Sequence, residues 1–244
     1  MSPYKPVIIV TGASRGLGSH IALAFGAKKN RVVINYRSHE RAAVEIADSI
    51  NRQGGEAFAF RADVTRSNDV ELMISETIQR WSRIDALVNN AGIAMDGILL
   101  RMSENAWDDV ISVNLRGPFI CTRSVAAVMM KQLSGHIINI SSIVGIQGRE
   151  GQANYSASKA GLIGLTRETA RELGPFDIKV NAVIPGYIQT EMGKSLSNSA
   201  ISSILDNCTL GRASELKEVA DFIVHLSTMN NVSGQVFNLD SRIL

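Results

Sequence analysis

The chain has 244 residues, 45% of them hydrophobic and 20% charged, with 25 basic side chains against 23 acidic ones and a formal net charge of +2. That balance argues against a nucleic-acid or membrane-surface partner, and the composition is that of a soluble globular protein. No stretch is apolar for the ~20 residues of a membrane span, and the apolar run Val7–Val10 is too short for a secretory leader.

The length suits one α/β domain over residues 1–244. Its elements alternate along the chain. VIIV (Val7–Val10) predicts a first strand and Gly16–Lys28 a helix. RVVINY (Arg31–Tyr36) predicts the second strand, followed by a helix over Glu40–Arg52, a third strand at Ala57–Phe60 and a helix over Asp69–Trp81. Ile84–Asn89 is the fourth strand, with one long helix expected over about Asn105–Lys131. His136–Ser141, Ile178–Ile184 and Gln235–Leu239 complete seven strands, with helices over Asn154–Leu173 and Glu215–Ser227. Such alternation specifies a Rossmann-type, doubly wound parallel sheet with helices on both faces. Ligands then bind beyond the carboxyl ends of the strands.

The first such end reads TGASRGLG, with Gly12, Gly16 and Gly18 spaced through a turn that opens a helix. Missing Cβ atoms let backbone N–H groups approach an anion, and the helix dipole points the same way. Gly12, Ser14, Arg15, Gly16, Leu17 and Gly18 are therefore candidate dinucleotide ligands. An NAD-type fold places an acid after the second strand to bond the ribose 2′-hydroxyl. Here that strand runs into Arg37 and no acid occurs before Glu40, so Arg37 and Arg15 point to a 2′-phosphate and to NADP(H). The alternative is that Arg37 is an ordinary solvated charge, but the absence of the acid favours NADP(H). Asp63 and Val64, after the third strand, would flank an adenine. Asn90, Ala91 and Gly92, in NNAG, would let backbone lie against a ribose or nicotinamide, although the same residues describe a plain turn. Pro185, Gly186, Ile188 and Thr190 follow the sixth strand and leave space for a flat ring.

Ser142 ends the fifth strand, where a lone serine is usually a capping hydroxyl. Pro118 follows Asn114 by four residues and has no N–H for the Asn114 carbonyl, which leaves either a kink or a carbonyl able to hold water. Tyr155 and Lys159 are one helical turn apart, so phenol and ammonium share a face. Cys121 and Cys208 match no metal or redox spacing and read as reduced thiols of a cytoplasmic protein without a metal site.

Taken together, TGASRGLG, NNAG, Asn114, Ser142, Tyr155-x-x-x-Lys159 and Pro185-Gly186 resemble the short-chain dehydrogenase/reductase family in order and spacing. GQANYSASKAGLIG (Gly151–Gly164) and LLRM (Leu99–Met102) are most similar to the 3-oxoacyl-[acyl-carrier-protein] reductases of that family. The resemblance implies an NADPH-dependent reduction of a 3-oxoacyl thioester in fatty acid biosynthesis. It casts Tyr155 as proton donor and Ser142 as the group bonding the substrate oxygen. Lys159 would lower the phenol pKa and bind the ribose, and Asn114 would hold a relay water. It also implies a homotetramer built through the helices carrying Asn114 and Tyr155, with Ala157, Ala160, Gly161 and Gly164 as a close-packing face. Two departures bear on the substrate. Leu133 and Phe176 stand where the carrier-protein reductases place basic residues, with Lys131, Arg167 and Arg171 nearby, and Leu239–Arg242 replace a Gly-Gly end. A coenzyme A thioester or another ketone or alcohol stays open, as does NADP binding without turnover. The serine-rich stretch within residues 187–206 is expected to be a substrate lid, although its pattern equally describes a plain surface helix.

Overall fold

The computed structural model describes residues 5–189 and 198–243. Seven strands form one parallel sheet: β1 (Val7–Val10), β2 (Arg31–Tyr36), β3 (Glu56–Arg61), β4 (Ala86–Asn89), β5 (Gly135–Ile140), β6 (Ile178–Ile184) and β7 (Val236–Asn238). Their spatial order is β3-β2-β1-β4-β5-β6-β7, so the winding reverses between β1 and β4 and opens a crevice there.

Alternate residues of each strand serve opposite faces. Ile8, Val10 and Ile34 pack with Phe25 of α1 (Gly16–Ala27), Ala43 of α2 (Glu40–Arg52) and Ile223 of α9 (Leu216–Leu226). Ile9, Val33, Leu87 and Val180 pack on the other face with Met73 of α3 (Ser67–Trp81), Val125 of α5 (Gly117–Gln132) and Leu173 of α7 (Ala153–Leu173). Covering both faces explains why VIIV is buried throughout rather than alternating.

The long helix expected over Asn105–Lys131 is not continuous. It divides into α4 (Glu104–Ile111), a π-helical turn over Ser112–Arg116, and α5. In the π turn the Gly117 N–H reaches back to the Ser112 carbonyl. A proline at 118 cannot donate to residue 114, and the wider turn absorbs that break. A short helix α6 (Val144–Gln147), unexpected from the sequence, follows β5, and α8 (Asn198–Asp206) falls within the expected lid. Thr190 and the 190–197 part of that lid lie outside the described residues. α5 ends at Leu133, which takes the left-handed conformation at φ 51° and is 62% exposed, whereas Phe176 packs against the core.

Candidate active site

The loops leaving β1 to β6 enclose one cleft of about 410 Å³. Its floor depends on how the first and fourth loops meet. Gly12 sits at φ +60°, and a Cβ there would lie 2.9 Å from the Ala91 Cα, so any side chain would force the loops apart. Polar stitches hold them together. The Thr11 hydroxyl donates to the Val88 carbonyl at 3.2 Å and accepts the Asn90 and Ala91 N–H groups, each at 3.0 Å. Asn90 Nδ2 donates to the Thr11 and Gly12 carbonyls at 2.9 and 3.1 Å.

Asn35, 2% exposed, extends the stitching. Its Oδ1 accepts the Gly12 N–H at 3.2 Å and its Nδ2 donates to the Ala62 carbonyl at 3.0 Å. Ser14, Arg15, Gly16, Leu17 and Gly18 are thereby fixed along the cleft, with the α1 N-terminus directed into it.

At the outer end the cleft is lined by Arg15, Arg37, Asp63 and Val64. Arg37 is largely exposed, its Nη1 3.9 Å from Asp63 Oδ2. Burial alone would raise the Asp63 pKa, but bonds from the Thr65 hydroxyl and N–H, with the Arg37 and Arg66 charges, outweigh it and hold the carboxyl below its usual range. At the inner end Asn90, Ala91, Gly92, Ser142, Tyr155, Lys159, Pro185, Gly186 and Ile188 line the same cleft.

Asn114 does not line the cleft; it is fully buried behind it. Its Oδ1 accepts the Ile93 N–H at 2.8 Å, and its Nδ2 donates to the Ile93 carbonyl at 2.9 Å and to Ser158 Oγ at 3.2 Å. The side chain thus ties the fourth loop to α7. A Cβ on Gly92 would find Asn114 Oδ1 at 3.3 Å and Lys159 Nζ at 3.8 Å, which sets these two residues side by side against the cleft wall.

Tyr155 and Lys159 share a face of α7 as their spacing requires, with the Lys159 Nζ 5.6 Å from the phenol ring centroid. The expected depression of the phenol pKa is absent. Burial pushes Tyr155 up to about 12, opposed by a hydrogen bond with Ser142 and assisted by the Asp96 charge. Burial also brings Lys159 down to about 8. The reason is geometric: the ammonium donates to the Ile140 carbonyl at 2.8 Å, not to the phenol, and desolvation favours the neutral form of both groups. Among the described residues Lys159 is the one shifted group whose pKa is brought towards neutral pH, which is how working acid–base groups are tuned.

Several polar residues that line the cleft are not singled out as site candidates from the sequence, among them Asn35, Asp96, Gln152 and Arg242. Gln152 precedes Tyr155 by three positions, a spacing that signals a shared face, and its Nε2 donates to both Asp96 carboxylate oxygens at 3.0 Å. Gly97 N–H to Gly151 carbonyl (2.8 Å) and Asn154 Nδ2 to Met95 carbonyl (3.0 Å) complete a rigid wall beside the phenol.

Comparison with known proteins places this geometry among relatives. The family model described as short chain dehydrogenase matches residues 6–200. A 3-oxoacyl-[acyl-carrier-protein] reductase of Synechocystis is 44% identical over 238 residues, covering 98% of this chain and 96% of that protein. Proteins of the same name from Staphylococcus epidermidis and Staphylococcus aureus are 42% and 41% identical, each over 95% of this chain and over 96% and 95% of the respective relative.

Proposed function

The chain belongs to the short chain dehydrogenase family, an oxidoreductase of CH–OH and C=O groups with a nicotinamide cofactor, and from that premise we propose that it reduces a 3-oxoacyl thioester to the 3-hydroxyacyl thioester with NADPH. The substrate class follows the name shared by its relatives, and the place of the reaction is fatty acid biosynthesis on an acyl carrier protein.

The residues fit a dinucleotide. A Cβ-free loop at Gly12 and the α1 N-terminus offer backbone donors to a pyrophosphate. Arg15 and Arg37 line the outer end with no acid at the tip of β2, which supports a 2′-phosphate and hence NADP(H) over NAD. When bound, the nicotinamide supplies the hydride. Tyr155, kept as a neutral phenol by burial, donates the proton to the carbonyl oxygen. Ser142, hydrogen-bonded to that phenol, holds the same oxygen. Lys159 sits one turn away and regains a proton near neutral pH. Asn114 lies beside it in a π turn where the backbone is free of strict α-helical pairing, which supports proton resupply from within. Ile204 of α8 lines the cleft and supports a lid over residues 187–206.

The single observation that carries the reading is the convergence of Ser142, Tyr155 and Lys159 on the glycine-loop cleft. Steady-state rates with an acetoacetyl thioester, NADPH against NADH, test it: turnover with NADPH well above NADH is expected, and no turnover with either overturns it. Leu133, exposed and apolar, favours a second reading in which coenzyme A carries the acyl group. Exposed Lys131, Arg167 and Arg171 favour the acidic carrier protein instead, so the two thioesters should be compared directly. Assembly is proposed to be a cytoplasmic homotetramer through the α4–α5 segment that carries Asn114 and through α7, which carries Tyr155; sedimentation at a monomer mass would contradict it.

A further inference from the structure

We propose that Arg242 is a specificity-determining residue that donates a hydrogen bond to the thioester carbonyl of the substrate, the oxygen two carbons from the one being reduced. The inference rests on the thioester reading above and deepens it.

Arg242 is placed at the substrate end by the residues on either side of it. The Ser241 carbonyl accepts the Thr209 N–H at 3.1 Å and its hydroxyl at 2.7 Å. The Ile243 carbonyl accepts Gln147 Nε2 at 3.2 Å, from the end of the short helix that follows Ser142. Two residues before Arg242, Asp240 lies against the loop that leaves β6, because a Cβ on Gly186 would come within 3.2 Å of the Asp240 Cα. The tail therefore crosses between Ser142 and Gly186, and Arg242 lines the cleft that holds Ser142 and Tyr155.

The guanidinium is also fixed. Asp240 has a side chain 1% exposed, and it accepts the Arg242 backbone N–H and Nε, each at 2.9 Å, as well as Nη2. A buried carboxylate is tolerable only with such a partner. Asp240 occupies Nε and Nη2, while a guanidinium carries donors on a third nitrogen as well. Nη1 has no hydrogen-bond partner among the described residues, and the side chain keeps 19% of its surface exposed. Because Asp240 balances the charge, the pair as a whole is neutral. It suits an uncharged acceptor such as a carbonyl better than a free carboxylate. Holding the second carbonyl of a 1,3-dicarbonyl group would orient the first towards the phenol.

Two variants avoid stranding a buried carboxylate: Arg242→Lys, and the pair Asp240→Asn with Arg242→Gln. Each is assayed on an acetoacetyl thioester and on a cyclic ketone with a single carbonyl, with melting temperature and NADPH affinity by fluorescence recorded alongside. The ratio of kcat/KM, thioester over cyclic ketone, should fall roughly 10- to 100-fold in the double variant, the range of one charge-assisted hydrogen bond. The lysine variant should recover part of that ratio. An unchanged ratio overturns the role of Arg242, as does an equal loss on both substrates, which would mark a structural residue. Reduction of the cyclic ketone but not the thioester by the unaltered enzyme would instead sink the thioester reading itself, and the inference with it.

Discussion

The two halves of the sheet hold the cleft by different means. Around β1, β2 and β3 the work is done by backbone and by buried asparagine: Gly12 without a Cβ, and Asn35 at the end of β2 joining the Gly12 loop to Ala62. From β4 to β7 buried asparagine recurs in Asn114 and Asn154, and titratable or ion-paired side chains join it, namely Tyr155, Lys159, Asp96 held by Gln152, and the Asp240–Arg242 pair. The shifts set one residue apart. Glu56, Asp63 and Tyr36 in the first half, like Tyr155, His136 and Arg242 in the second, are driven further into their neutral-pH charge states, whereas the Lys159 pKa is brought towards neutral pH. On the proposed reaction the first half is the binding frame, and the second carries the proton chemistry.

The largest expected effect separates the halves cleanly. Tyr155→Phe should lower turnover by about 10²- to 10⁴-fold, the usual share of a positioned acid, while NADPH affinity by fluorescence titration stays as it was. Retained turnover would remove the phenol from the mechanism. His136 tests the second half through stability. It sits on β5 opposite Lys179 of β6, with Asp177 and Asp85 nearby, and burial and the Lys179 charge lower its pKa from 6.5 to about 4. The unfolded chain therefore takes up the proton first, so the contribution is complete above pH 6.5 and is lost as pH falls from 6.5 through about 4. Urea melts at pH 7 and pH 4.5 should differ by about 2 kcal/mol from this residue, and His136→Gln should flatten the difference. An acid slope identical in the variant would place the sensitivity elsewhere.

Arg37→Glu addresses the first half alone. It should raise KM for NADPH by roughly 10- to 100-fold, the value of a charge-assisted bond, and leave kcat in place; a fall in kcat would blur the division between frame and chemistry. The smallest effect is the titration of Lys159. Loss of its proton above pH about 8 should lower kcat/KM for reduction by up to about tenfold per pH unit, while Tyr155 stays protonated to about 12. A profile flat to pH 10 would show that the ammonium charge is not needed.

Sequence patterning carried the strands and the cleft a long way. VIIV, RVVINY and IKVNAVI are parallel strands because both faces of the sheet are covered, and the motifs after them converge because a doubly wound sheet brings those ends together. What stayed hidden depends on partners distant in the chain. Asn35 looks like the polar end of a strand until its bonds to Gly12 and Ala62 are seen. Arg242 is a bare departure in sequence, and its role needs the fold that carries the tail past Gly186. The phenol pKa lies beyond such a reading because spacing along a helix gives proximity but neither burial nor the competing Ile140 carbonyl. The break at Asn114 was visible in Pro118, yet whether it would bend the helix or widen it is decided by packing.

That widened turn has a mechanical corollary. A surplus residue in a helix offsets everything after it by about 100°, so α4 and α5 are indexed independently: one is phased to meet α7, the other to meet α3. Asn114 occupies the splice between the two settings and answers to neither. Protein engineers who iron out such irregularities to gain thermal robustness would here be removing the joint that lets a single rod satisfy two neighbours, and should obtain a sturdier fold with a slower catalyst.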